Sequence, residues 1–134
     1  MRLRLCHLGL ADYQTVRELQ LQLVAARLAG GQDDTVLVTE HPAVFTLGRR
    51  GSRELLAVSE SFLAGRGIEV VHIERGGDIT YHGPGQLVVY PIIHLRANHL
   101  SVTDHVTRLE ELMLRLAADC GVTARRDPRG RGVW

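Results

Sequence analysis

At 134 residues the chain has the length of one domain, and a 45% hydrophobic content is too high for a disordered segment and too scattered for a membrane span. The formal net charge of +1 creates no field that would recruit nucleic acid. All 16 basic residues are arginine, so no lysine here serves as base, Schiff-base former or thiol activator, and two cysteines, Cys6 and Cys120, are too few for a disulfide scaffold and fit a reducing cytoplasm.

The start, residues 1–10, meets Ala11-Asp12 with no small-residue cleavage site, so 3–9 reads as a first strand and not as a signal peptide. Asp12 is placed to cap a helix over 13–28, where Val16, Leu19, Leu23 and Ala26 form one apolar stripe and Gly30-Gly31 ends it. Residues 35–39 read as a buried strand, Glu40-His41-Pro42 as a turn, and 43–47 as a strand returning from it. Gly48-Arg49-Arg50-Gly51 is a basic loop, 59–64 a short helix and 68–74 a strand. A short strand over 78–82, a rigid turn at Gly83-Pro84-Gly85 and a strand over 86–93 follow. Ser101, with Asp104 three residues on, caps a second helix, whose stripe of Val106, Leu109, Met113, Leu116 and Cys120 predicts one buried face. Gly121 stops it, 125–132 is polar and loop-like, and the chain closes on Val133-Trp134. Mixed strands and helices with tight links predict an α+β fold whose sheet is mixed and largely antiparallel, packed with helices, in one domain over 1–134.

The chemistry concentrates in RGGDITYHGPGQLVVY, residues 75–90. Arg75 carries a planar fork suited to carboxylate, phosphate or carbonyl, and Gly76-Gly77 allow close backbone approach. Thr80, Tyr81 and His82 put hydrogen-bonding groups on a short strand beside an apolar one, the composition of a pocket wall. Three roles fit His82: proton carrier, thioester-orienting donor, or satisfied core histidine. The glycines match neither GxxxxGK[ST] nor GxGxxG before a helix, so no nucleotide-triphosphate site is expected. The seven histidines lack metal-ligand spacing, and no metal or cofactor is expected. Cys6 and Cys120 read as packing residues.

The run from Arg75 to Pro91 closely resembles the signature of the octanoyltransferases of lipoate synthesis. Glu40-His41-Pro42, Thr46-Leu47-Gly48-Arg49, Leu109-Glu110-Glu111 and Gly132-Val133-Trp134 support the resemblance in the same order. It implies a cytoplasmic acyltransferase with the fold of the lipoate– and biotin–protein ligases. Such enzymes move octanoyl from acyl carrier protein to a lysine on lipoyl domains of 2-oxoacid dehydrogenase subunits and of the glycine-cleavage H protein, through a cysteine thioester helped by a lysine. The resemblance further implies that Arg75, Gly76, Gly77, Asp78, Ile79, Thr80, Tyr81 and His82 line the acyl site, the glycines admitting the acyl chain and Thr80 and His82 orienting the thioester end. In such enzymes the lysine and cysteine follow the segment matching Gly132-Val133-Trp134, so these residues resemble the N-terminal two-thirds and the nucleophile is expected beyond Trp134. Two alternatives stand beside this: a non-catalytic acyl- or lipoyl-domain-binding remnant, and an ATP-dependent lipoate–protein ligase relative, whose loop carries a further arginine and glycine.

Overall fold

A computed structural model describes residues 2–52 and 56–134, which form two compact units, 1–93 and 94–134. In the first unit, β1 (Leu3–Leu10), β2 (Asp34–Glu40) and β6 (Val88–Ile92) form one sheet in the order β1-β2-β6. β3 (Val44–Leu47), β4 (Glu69–His72) and β5 (Ile79–His82) form another in the order β4-β3-β5. β1 runs parallel to β2 and β3 parallel to β4, while β2–β6 and β3–β5 are antiparallel. The α+β class and the mixed pairing follow the sequence reading.

Helix α1 (Tyr13–Leu28) joins the two parallel strands of the first sheet. The Asp12 carboxylate accepts from the Thr15 backbone N–H at 2.9 Å and its hydroxyl at 3.0 Å, which satisfies an open N-terminal amide and holds the carboxyl below its ordinary pKa. At the other end Gly30 N–H reaches Arg27 O and Gly31 N–H reaches Ala26 O, both at 3.2 Å, closing the helix with paired bonds. The predicted stripe is the packed one: Val16, Leu19 and Leu23 meet Leu37, Ile92, Cys6 and Tyr90. One turn earlier, Tyr13 packs with Val44 and Val71 of the second sheet. The N-terminal end of α1 therefore fastens both sheets.

The links between β2 and β3 and between β5 and β6 are not hairpin turns, contrary to the sequence reading. Each carries the chain from one sheet to the other. β2 and β3 bury side chains against successive turns of α1, Leu37 against Val16 and Val44 against Tyr13. Helix α2 (Glu60–Ala64), capped by Ser59, precedes β4.

In the second unit a 3₁₀ turn over Arg96–Asn98 precedes α3 (Val102–Asp119). Ser101 and Asp104 form the predicted capping box, with the Ser101 hydroxyl accepting from Asp104 N–H and the Asp104 carboxylate accepting from Ser101 N–H, both at 3.0 Å. The predicted buried face is a different matter. Met113, Leu116 and Cys120 are exposed, and the buried residue of α3 is Glu110. Within this unit only the 125–134 loop lies along α3. It engages the helix through the charged side of Glu110 and Glu111, while Val106 and Leu109 are half-buried and Met113 and Leu116 stay exposed.

Candidate functional site

The two sheet crossings lie side by side. The Glu40 carboxylate, at the end of β2, accepts from Gly85 N–H at 2.6 Å in the other crossing. His41, wholly buried, stands between them. Its Nδ1 lies 2.8 Å from Ala11 O and its Nε2 2.9 Å from Tyr90 Oη. A carbonyl only accepts, so Nδ1 carries a proton, and in the neutral ring Nε2 accepts from the Tyr90 hydroxyl. Burial first, then the neighbouring Tyr13, raises the Tyr90 pKa and keeps that hydroxyl protonated.

Around His41 three further rings gather. Tyr13 meets it edge-on at 5.2 Å between centroids, His82 at 6.1 Å and Tyr90 at 5.9 Å. Tyr13 stacks on His82 at 6.2 Å. His82 Nδ1 lies 2.6 Å from Gln86 Oε1, and Gln86 Nε2 donates to Tyr81 O at 3.3 Å. Burial, more than the nearby His41 and Arg75, pulls the His82 pKa below 6.5 against the opposing Gln86 hydrogen bond.

That shift has a thermodynamic consequence. As pH falls below 6.5 the unfolded chain takes up the proton before the folded chain does, so the folded state loses stability through that window. In urea titrations at several pH values, the stability difference between the parent and His82→Gln should shift against the parent as pH drops below 6.5. A difference that stays flat would contradict the burial of this ring.

The strand register places Thr80 and His82 opposite Thr46 and Val44, on one face of the second sheet. Tyr81 lies on the other face, against Phe45 at 5.1 Å. Arg75 does not present an open fork: its guanidinium donates to Thr46 O at 2.7 Å, to Thr46 Oγ1 at 2.9 Å and to Gly76 O at 2.9 Å. It ties the 75–78 loop to β3. The basic loop completes the tie, with Gly48 N–H donating to Asp78 O at 2.7 Å and Arg49 N–H to Arg75 O at 3.0 Å. A Cβ on Gly48 would lie 2.5 Å from Gly77 O, so the two loops meet backbone to backbone there. Beside Gly76 nothing lies within 4 Å of where a Cβ would stand, and Gly77 holds φ +83°.

In the second unit Glu110 is the organising group. Its carboxylate accepts from Gly132 N–H at 3.0 Å and from Arg126 Nε at 3.2 Å, while Arg126 also reaches Glu111 at 3.2 Å. Arg125 and Trp134 exchange backbone hydrogen bonds at 2.8 Å, closing the loop on itself.

The structure places Thr80 and His82 on one sheet face and sets beside His82 the rings of Tyr13 and His41, which lie outside the 75–90 segment singled out by sequence, with Gln86 within hydrogen-bonding distance of His82 and Tyr90 against His41. The signal available for His41 was a polar residue between two strands too apolar to leave their link exposed. Cys6 packs in the core as expected, and Cys120, expected to pack, is exposed. Among the described residues no group of three or more histidine, cysteine or acidic side chains is placed to hold a metal ion.

The family profile of the lipoyl protein ligase A/B catalytic domain matches residues 12–134, and the chain belongs to that family. The octanoyltransferase of Desulfotalea psychrophila is 53% identical over 131 residues, an alignment covering 97% of this chain and 59% of the relative. That of Syntrophobacter fumaroxidans is 52% identical over 130 residues, covering 97% and 57%. The chain therefore spans a little under three-fifths of the length of these relatives. Among solved structures, a lipoate-protein ligase A bound with ATP superposes with a TM-score of 0.67 at 19% identity, covering 93% of this chain and 49% of the other. The bipartite lipoate protein ligase of Thermoplasma acidophilum gives 0.66 at 18%, covering 96% and 49%. At such identities these likenesses establish the lipoate-ligase fold.

Proposed function

We propose that residues 1–134 form the acyl-binding part of an octanoyltransferase catalytic domain, in which the segment Arg75, Gly76, Gly77, Asp78, Ile79, Thr80, Tyr81 and His82 builds the acyl wall, with Thr80 and His82 on the face that receives a medium-chain acyl thioester. The observation carrying this reading is the sheet face that joins Thr80 to His82 next to an open glycine, Gly76. Arg75 acts from behind, holding the wall to β3. The substantial identity to octanoyltransferases supports the choice of acyl group.

In this reading octanoyl leaves the thiol of an acyl carrier protein for a cysteine thiol and then passes to a lysine amine on a lipoyl domain, such as those of 2-oxoacid dehydrogenases or the glycine-cleavage H protein. The first exchange trades one thioester for another and needs no ATP. The acceptor thiol must be a thiolate near neutral pH, which an adjacent ammonium favours. The chain has no lysine, and the likeness to octanoyltransferases implies that the lysine and cysteine follow the segment matching Gly132-Val133-Trp134. The reaction belongs in the reducing cytoplasm, where those thiols stay free.

The test supplies octanoyl–acyl carrier protein and a lipoyl domain to the protein at its full natural length, without ATP, and weighs the lipoyl domain by mass spectrometry. Octanoylation of its lysine is the expected result. Modification that requires free octanoate and ATP would place the protein with the ligases instead.

A further inference from the structure

We propose that Gln86 is a positioning residue that sets His82 in its Nδ1–H tautomer, so that Nε2 faces the attacking amine as a hydrogen-bond acceptor. This rests on the acyl-transfer reading given above and assigns the role of His82 within it.

The assignment follows from a fixed point in the backbone. Tyr81 O can only accept, so the side-chain group of Gln86 that lies 3.3 Å from it is the amide nitrogen. The other end of that amide, Oε1, therefore faces His82 Nδ1 at 2.6 Å. Oε1 cannot donate, so Nδ1 carries the proton. A neutral imidazole has one N–H, which leaves a lone pair on Nε2. Among the described residues Nε2 makes no hydrogen bond, and the ring is only half-buried. Burial favours the neutral ring, so this tautomer is the form present near pH 7.

The geometry separates the two histidines of the cluster. His41 has both ring nitrogens occupied, by Ala11 O and the Tyr90 hydroxyl, and offers nothing to a ligand. His82 has one occupied and one open. Stacking on Tyr13 at 6.2 Å and the edge contact with His41 at 6.1 Å restrain the ring plane. A thioester carbonyl oxygen is itself an acceptor, so neutral His82 has no free N–H to give it. The partner that fits Nε2 is an N–H donor, as carried by the lysine amine that attacks the acyl carbon; a thiolate has no proton to give it. The sequence alone leaves a thioester-orienting donor among the roles of His82; the Gln86 contact selects the acceptor role.

The test is long-range 15N–1H NMR of the imidazoles in the complete chain. In the parent, His82 Nδ1 should read as protonated and Nε2 as an unprotonated acceptor nitrogen. Gln86→Leu should lose that bias, giving a mixture or the Nε2–H form, with the His41 signals unmoved. Gln86→Glu, which keeps an acceptor at Nδ1 and adds a negative charge, should keep the tautomer and raise the His82 ionisation by about one pH unit. An Nε2–H tautomer in the parent, or an unchanged tautomer in Gln86→Leu, overturns the proposal; if Gln86→Leu does not fold, an unmoved ionisation in Gln86→Glu does so. Titration with S-octanoyl-pantetheine separates the two levels. Absence of binding while His82 remains Nδ1–H overturns the acyl-transfer reading, and with it the identity of the attacking group.

Discussion

Replacing His41 by alanine should lower the unfolding free energy by about 3–5 kcal/mol, the range for removing a large buried ring together with its hydrogen bonds. The imidazole is wholly buried, and its loss empties the space among Tyr13, His82 and Tyr90. It also strands two polar groups, the Ala11 carbonyl and the Tyr90 hydroxyl, which His41 satisfies at 2.8 and 2.9 Å. Tyr90→Phe removes one of those two bonds and keeps the ring, so it should cost only about 1–2 kcal/mol. Urea denaturation of the three proteins at one pH measures the series. A His41→Ala cost below about 1 kcal/mol would contradict the role of this residue as the pin between the sheet crossings.

The second large effect concerns the meeting of the two glycine loops. A methyl group at Gly48 would stand 2.5 Å from Gly77 O and 2.9 Å from Arg75 O, and neither is a side chain that can swing away. Gly48→Ala should therefore cost about 1–3 kcal/mol and push the 75–78 loop off β3. Gly77→Ala meets only the Arg75 guanidinium, at 3.3 Å, but must hold φ +83°, which costs a residue with a Cβ about 1–2 kcal/mol. Gly76→Ala meets nothing and needs no positive φ, so its effect on stability should be smallest. Melting temperatures of the three variants check the order. If Gly76→Ala proved the most damaging, the packing of the two loops described here would be wrong.

What could be read from the sequence was local. The helix boundaries rest on side chains that bond amides three residues away, so Asp12 and Ser101 announced their helices directly, while Ser59, read as the first residue of its helix, proved to be its cap. Strand partners depend on residues far off in the chain, and a short link between apolar strands looks the same whether it turns back or crosses to another sheet. Glu40-His41-Pro42 and Gly83-Pro84-Gly85 both read as turns for that reason. The burial of Tyr13 and His41, which decides the matter, is a tertiary fact. The C-terminal part of the stripe on α3 is exposed for the opposite reason: periodicity records a face that prefers to be covered, not whether anything covers it.

The motif pieces behave differently. Glu40 lies against Gly85, Gly48 against Asp78 and Glu110 against Gly132, so segments noticed separately along the chain are hydrogen-bonded pairs. Their spacing in sequence carried no hint of that pairing. Glu110, noticed in sequence only as a piece of the Leu109-Glu110-Glu111 motif, is the buried end of its contact.

The most direct measurement is the affinity of S-octanoyl-pantetheine for the parent chain and for His82→Ala and Gly77→Val, followed by amide chemical shifts. The acyl-wall account predicts perturbations centred on Gly76, Gly77, Thr80 and His82, and binding weakened by about tenfold or more in each variant, a loss of about 1.4 kcal/mol. Equal affinity for all three proteins, or perturbations confined to residues away from β5 and the 75–78 loop, would contradict it.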